Sequence, residues 1–551
     1  MNLKSNNYNI LKQLMSNSRR FKLPPQIDYI VLYTFLYKYC SDIVKDYLLM
    51  ELKNAEVTLD EAYGNKVFQS QLRLDSLKLN GFFIKRPEAF IEEVVNDNYL
   101  KPDFLQYFLN AFPKYAVFSL EYHNMEYFNH LFKTIDEIDT YGFSNEGSEN
   151  ICEVIYLISK LNVFEQDFEF KEVFNVISSS RLMHVESNPD YITQVLSELV
   201  LSDKKRMGSV YDPFIKNGDS IMSLNESNIQ YCYGKDENKS NFLYVFAKFF
   251  INNFPLNNVF LKHENAINSI DINGASFDVI LSRIPIAIKN YHSSNFQQNM
   301  EIVKRSKRCE IETLLVDKLN IDENSFKQDY ELNKALENLV DKIDLNDLNV
   351  DFSGEYKSLA DSEFLFLINL ADSLKDDGIM VISISENFLF KDSLEILRKY
   401  LTLEKNYIDT IIRIPSEIDK SGPEVVIVFR KDKVYRNILF IDMSSDYETQ
   451  RAKRVFPGLF RKNLILDNKT IDKMKKVFSD KLTVSKFSNF ISINEIKKNK
   501  FNLSVSRYVD TFEGEFISLD ELISQKEDID SNINRLNLKI EKMMDELNIR
   551  F

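Results

Sequence analysis

At 551 residues the chain exceeds what one hydrophobic core holds, so two to four domains are expected. A 44% hydrophobic and 28% charged composition is that of a globular chain rather than a disordered or membrane-embedded one. The formal net charge of −14 argues against a free-standing nucleic-acid binder, because phosphate neutralisation needs local Lys and Arg, but leaves room for a basic face.

Residues 9–62 carry helical patterning. Leu11, Leu14 and Met15 form one amphipathic run, broken by Leu23-Pro24-Pro25, and 27–52 is apolar nearly all round, as a buried helix is. Further helical patterns cover 87–113 and 123–138, with Lys101-Pro102 and Phe112-Pro113 as punctuation. Asn145-Glu146-Gly147-Ser148 reads as a loop before a helix over 151–161. Residues 1–180 are therefore expected to form an all-helical N-terminal domain without a chemical motif.

Asn188-Pro189-Asp190 caps a helix leading into the next domain, expected over 181–450. There the texture changes to short β-rich runs alternating with helices. Strands are expected at Val210-Tyr211, 229–233, 259–261, 277–281, 378–384, 408–414 and 425–429, with helices at 238–252, 362–374 and 393–401. This alternation predicts an α/β fold with a mostly parallel sheet and helices on both faces. A charged stretch, about 287–357, reads as an insertion.

Residues 451–514 form a basic region; 451–481 alone holds ten Lys or Arg against three Asp. Either a solvated helical face or a phosphate-tracking surface accounts for it. Over 515–551, Ile529, Ile533, Leu536, Ile540, Met543 and Leu547 repeat at alternating four- and three-residue steps, the seam of a C-terminal coiled-coil helix that needs a partner helix.

The chemistry concentrates between Val210 and Ile286. Asp212-Pro213 ends the first strand, Gly218 lies in the following turn, Asp236 ends the second strand, and Arg283-Ile284-Pro285-Ile286 follows the fourth. Polar groups at the C-terminal ends of such strands outline an open α/β nucleotide site.

Together these residues resemble the modification subunit of type I restriction–modification systems, a family of adenine-N6 DNA methyltransferases. Tyr211-Asp212-Pro213 with Gly218 lies where that family has its DPxxGxGG cofactor loop, and 234–238 (GKDEN) resembles its GQExN stretch. Residues 374–378 (LKDDG), 386–390 (ENFLF), 501–504 (FNLS) and 507–509 (RYV) resemble its later segments. The resemblance implies a Rossmann-like S-adenosylmethionine-dependent domain. It also implies DNA as partner, and a specificity subunit or second methyltransferase subunit bound through the C-terminal helix. It places the cofactor at Asp212, Pro213, Gly218, Asp236 and Pro189, the last being what remains of the family's FYTP contact in Glu186-Ser187-Asn188-Pro189.

The departures fall on the chemistry. Lys216 stands where the first loop glycine is expected and Asp219 follows Gly218. Lys216 either crowds the methionine end of the cofactor or pairs with its carboxylate. Arg283, Ile284, Pro285 and Ile286 occupy the place of the catalytic NPPF. There an Asn carbonyl accepts from the adenine amino group and an aromatic ring stacks on the flipped base. A guanidinium only donates and isoleucine has no π face. The favoured reading is a member that retains assembly surfaces but has lost methyl transfer. An active enzyme with divergent motifs, or an α/β enzyme using another nucleotide through Asp236, are the alternatives.

Cys40, Cys152, Cys232 and Cys309 form no CxxC pair, which argues for a reducing compartment and against a disulfide framework. His184, His263 and His292 show no metal-ligand spacing, so no metal is expected. The N-terminus lacks the apolar core of a signal peptide and the longest apolar patches are too short for a bilayer, so a cytoplasmic protein without membrane contact is expected.

Overall fold

The computed structural model describes residues 5–511 except 19, 22, 25, 120–123, 179, 184, 204–206, 225–228, 255, 267–275, 285–364, 416–422, 446–447 and 452–461, together with scattered positions between 523 and 536. Pro285, Ile286, the expected insertion and most of the C-terminal helix lie outside the described residues.

The N-terminal layer is built from helices whose ends the sequence sets locally. Ser5 Oγ accepts from the Tyr8 amide at 3.2 Å to start the helix Asn6–Asn17. Ile27–Ala55 is buried on nearly every side between Ile30 and Ser41, as its unbroken apolar pattern requires. The helices Lys66–Leu79, Phe104–Tyr115, Asn124–Asp136, Asn145–Ser159 and Phe170–Ser178 are the longer of the others in the layer. In a chain without tryptophan, Phe and Tyr supply the bulk of this core. Tyr37 stacks on Phe112 with centroids 4.5 Å apart, and Tyr33 Oη donates to the carbonyls of Phe108 and Leu109.

Two local expectations fail. The layer is not all-helical, because β1 (Phe82–Ile84) pairs antiparallel with β2 (Ala116–Phe118). Gly81, at φ +80°, ends the preceding helix and turns the chain, leaving three consecutive buried apolar residues that suit a strand. The second failure is at Asn145, which already lies in a helix: Ser144 Oγ accepts from the Gly147 amide at 3.1 Å and caps it.

The remainder is organised by a nine-stranded sheet. Its strands are β3 (Met207–Asp212), β4 (Ile229–Asp236), β5 (Val259–His263), β6 (Phe277–Arg283), β7 (Leu374–Ser385), β8 (Ile408–Arg413), β9 (Glu424–Arg430), β10 (Ile438–Asp442) and β13 (Ser488–Ile491). The strands β11 (Glu448–Arg451) and β12 (Lys462–Ile465) pair only with each other. The spatial order is β13-β10-β8-β9-β7-β6-β3-β4-β5. Pairing from β5 through β4, β3 and β6 to β7 is parallel, and β9 runs antiparallel between β7 and β8.

From β3 the chain moves one way to β4 and β5, then crosses back to place β6 on the other side. That reversal is the topological switch point, where open α/β sheets bind ligands beyond the carboxyl ends of their strands. The boundary expected at residue 450 cuts through this sheet, since β13 lies beyond it. Four-residue β13, with its half-exposed Asn489 and Phe490, carries too little hydrophobic signal to stand out in the sequence.

The helix Lys239–Ile251 binds the sheet to the helical layer. Asn238 caps it, accepting from the Ser240 amide at 2.9 Å. Its Phe246 stacks on Tyr127 at 5.0 Å, and Phe250 meets Phe128 edge-on at 5.3 Å. In the C-terminal segment, Ile529, Ile533 and Leu536 are exposed. No helix among the described residues is long and apolar enough to cross a membrane.

Candidate active site at the sheet switch point

The structure brings Asp212, Lys216, Gly218, Asp236 and Arg283 to one edge of the sheet, around the crevice between the ends of β3 and β6. Asp212, fully buried, ends β3. Its Oδ1 accepts from the Phe214 amide at 3.0 Å and from Ser282 Oγ at 2.6 Å, while Oδ2 has no hydrogen-bond partner among the described residues. Burial pushes its carboxyl up to about 6, against the pull of Ser282, the Phe214 amide and Lys216. Pro213 is buried beside it.

The loop turns through two left-handed residues, Lys216 at φ +48° and Gly218 at φ +75°. Gly218 is required by packing as well as by its backbone, because a Cβ there would lie 3.1 Å from Phe249 and 3.3 Å from Val245. Lys216 adopts the left-handed conformation at a cost of roughly 1–2 kcal/mol. Its amide donates to Asp236 Oδ2 at 3.0 Å, and Nζ donates to Asn188 Oδ1 at 3.2 Å. Asp219 turns away from the crevice and pairs with Lys248 on the helix Lys239–Ile251.

Asp236, at the end of β4, has both oxygens engaged by its own chain. Oδ1 accepts from the Asn238 amide at 2.8 Å, Oδ2 from Lys216, and Asn241 Nδ2 lies 3.3 Å from each. Burial again dominates and raises its carboxyl to about 6. Pro189 contributes structurally: its carbonyl accepts from the Ile192 and Thr193 amides at the start of the helix Asp190–Asp203. Its neighbour Asn188 makes the contact to the loop.

At the end of β6, Arg283 forks onto Glu424, the first residue of β9. Nε lies 3.1 Å from Oε1 and 2.9 Å from Oε2, and Nη2 also donates to Oε1. Glu424 is 5% exposed and takes a further hydrogen bond from Ser383 Oγ at 2.7 Å. Ile284 is buried, its amide donating to the Ser383 carbonyl at 2.8 Å. Glu424 and Lys248 were missed by sequence reasoning, each lying far in the chain from its partner and in no motif. Asn188 was quoted only as part of Glu186-Ser187-Asn188-Pro189, without a role. Only the unusual Arg283 hints that a buried acid must exist somewhere to match it.

Residues 342–515 match the family model for N-6 DNA Methylase. The type I restriction enzyme MpnII methylase subunit of Mycoplasma pneumoniae is 20% identical over 379 residues, covering 66% of this chain and 61% of that protein. The MjaVII methylase subunit of Methanocaldococcus jannaschii is 28% identical over 155 residues, 26% of this chain and 24% of that one. The chain thus spans less than two thirds of the length of these curated relatives. A type I methyltransferase subunit from Streptococcus thermophilus superposes with a TM-score of 0.65 at 18% identity, over 92% of this chain and 99% of that one.

The chain resembles the modification subunits of type I restriction–modification systems. A second solved structure, from work on the assembly and conformational transition of such a system, gives a TM-score of 0.55 at 12% identity over 99% of both chains. With identities this low the solved structures establish a shared fold.

In this modification-subunit relative the later motif-like segments are joined through Arg398. That side chain is 2% exposed; Nε donates to the Phe501 carbonyl at 2.7 Å, and Nη1 to the carbonyls of Phe388 and Lys391 at 3.0 and 2.8 Å. The Leu503 amide donates to the Leu389 carbonyl at 2.8 Å. Residues 386–390 and 501–504, distant in sequence, therefore form one unit.

The basic stretch is partly neutralised from within. Lys475 Nζ lies 2.6 Å from Glu198 and Lys481 Nζ 2.5 Å from the buried Asp409, while Lys473 sits over the Phe487 ring. Residues 452–461 lie outside the described residues. Among the described residues no cluster of three or more His, Cys, Asp or Glu could hold a metal ion.

Proposed function

We propose that this chain serves as a modification-type subunit that binds DNA together with a specificity subunit, without transferring methyl groups itself. The observation that carries this reading is the Arg283–Glu424 pair. The resemblance puts Arg283 where an adenine amino group would be accepted, and there its guanidinium bonds to Glu424, which also accepts from Ser383 Oγ. A flipped base would meet a donor-only guanidinium already committed to a carboxylate.

The residues of the crevice do not fit S-adenosylmethionine. Asp236 accepts hydrogen bonds from its own chain on both oxygens, and the Lys216 side chain reaches across from the loop to Asn188. Gly218 answers to packing against Phe249 and Val245 rather than to a ligand cradle. No catalytic step is therefore assigned to the cofactor here.

Partner binding rests on the fold likeness and on the exposed apolar positions Ile529, Ile533 and Leu536. The test is co-expression with a type I specificity subunit from the same genome, followed by size exclusion and by retention of duplex DNA. Joint elution and DNA retention, with no label passed from S-adenosylmethionine to adenine, is the expected result. A protein that elutes alone and ignores DNA removes the assembly reading, and labelled adenine removes the loss of catalysis.

A further inference from the structure

The disagreement between crevice and cofactor has one principal source. Lys216 sits in the loop after β3, on the carboxyl side of the sheet at its switch point, with only 9% of its surface exposed. Three chain segments meet there: the loop itself, the end of β4 and residues 186–189. In an open α/β site a ligand makes the bridge between such segments and stabilises the protein only while bound.

We propose that Lys216 is a built-in occupant of this crevice, permanently tying these three segments together where a bound ligand would otherwise bridge them. The backbone supplies one tie, from the Lys216 amide to Asp236 Oδ2 at 3.0 Å. The side chain supplies the other, from Nζ to Asn188 Oδ1 at 3.2 Å. Both acceptors are themselves held. Asp236 is fixed by Asn238 and Asn241, and Asn188 Nδ2 donates to Ser220 Oγ at 3.4 Å. The Glu186 amide adds a parallel link, donating to Asn241 Oδ1 at 3.1 Å.

Burial and the nearby Arg283 lower the Lys216 pKa, and Glu186, Asp212 and Glu424 pull the other way without overcoming them, so it is the geometry of the two ties that marks Lys216 as resident. The left-handed backbone at Lys216 is the kind of strain that persists only where surroundings over-determine it, and the two ties do so.

This inference deepens the proposed loss of cofactor use but is tested separately from it. Amide hydrogen exchange is measured on the full chain, wild type and Lys216→Met, which keeps the apolar stem and removes the ammonium. Lys216→Gln serves as a second variant that retains a donor. Lys216→Met is expected to speed exchange in peptides covering 186–193 about tenfold, leaving those of 408–413 unchanged. Lys216→Gln is expected to stay near wild type.

Adding S-adenosylhomocysteine at millimolar concentration is expected to leave wild-type exchange unchanged. Unaltered exchange at 186–193 in Lys216→Met, or slowing of wild-type exchange by S-adenosylhomocysteine, overturns the proposal. Methyl transfer by the wild type would sink both readings, whereas unaltered exchange in Lys216→Met without methyl transfer sinks only this one.

Discussion

Arg283 and Glu424 meet side-on across the end of the sheet, one from β6 and the other from β9, 141 positions apart in the chain. Glu424 is almost fully buried and Arg283 partly so. An ion pair in such a place is rarely worth much relative to an apolar pair of similar volume, yet breaking it from one side is costly because the other charge stays behind.

Glu424→Leu should therefore destabilise the protein by about 3 kcal/mol, and Arg283→Met/Glu424→Leu by much less than the sum of Glu424→Leu and Arg283→Met alone. Urea midpoints for the four proteins of this double-mutant cycle check it. Additive losses in the double variant would show that the two side chains are not coupled.

Restoring the motif at one end should not restore chemistry. Arg283→Asn with Ile284→Pro and Ile286→Phe leaves Glu424 buried without its cation and leaves Lys216 across the crevice. The expected outcome is a less stable protein with no label transfer to adenine-containing duplex DNA. Transfer by this triple variant would show that Lys216 and Glu424 present no obstacle.

Asp212 gives a pH dependence opposite to that of a salt-bridged acid. Its folded pKa, about 6, lies above the ordinary aspartate value of 3.8, so between those pH values the native state holds a proton that the unfolded chain has released. Stability contributed by this group is present in full below the unfolded value and is lost as pH rises through the folded one. Asp212→Asn should remove this fall, making the difference in urea midpoint between variant and wild type grow in the variant's favour from pH 4 to pH 7. The size is of order 2 kcal/mol at 1.36 kcal/mol per pKa unit. A difference that does not change with pH contradicts the assignment.

Arg398→Leu should cost about 3 kcal/mol, because two buried carbonyls and one partly buried one lose their donor together. The thermal midpoint measures the loss, and exchange of peptides around 386–391 and 501–504 should rise in concert. Independent behaviour of the two segments would show that Arg398 does not join them.

Much of the scaffold was legible in the sequence. Strands such as Phe277–Arg283 are continuous apolar runs flanked by polar turns, and helices such as Ile27–Ala55 show an unbroken apolar surface. Asp212, Gly218, Asp236 and Arg283 were singled out because strand ends at a switch point are where side chains converge, and the fold does place them at the ends of β3, β4 and β6 and in the loop after β3. β1 was missed because three residues carry no periodicity, and β10 and β13 because nothing in their composition says which sheet they join. The consequential omissions were partners. That Arg283 was incompatible with accepting an amine could be argued from its chemistry, but that Glu424 held it is a fact of strand pairing. Lys216 was read as either an obstruction or a cofactor ligand, and its bond to Asn188 favours obstruction.

The central claim is that the modification-subunit fold persists around a crevice filled by its own side chains. Calorimetric titration of S-adenosylmethionine into the purified full-length protein tests it most directly. The account predicts no saturable heat at millimolar cofactor, in wild type. Saturable binding in the micromolar range would contradict it.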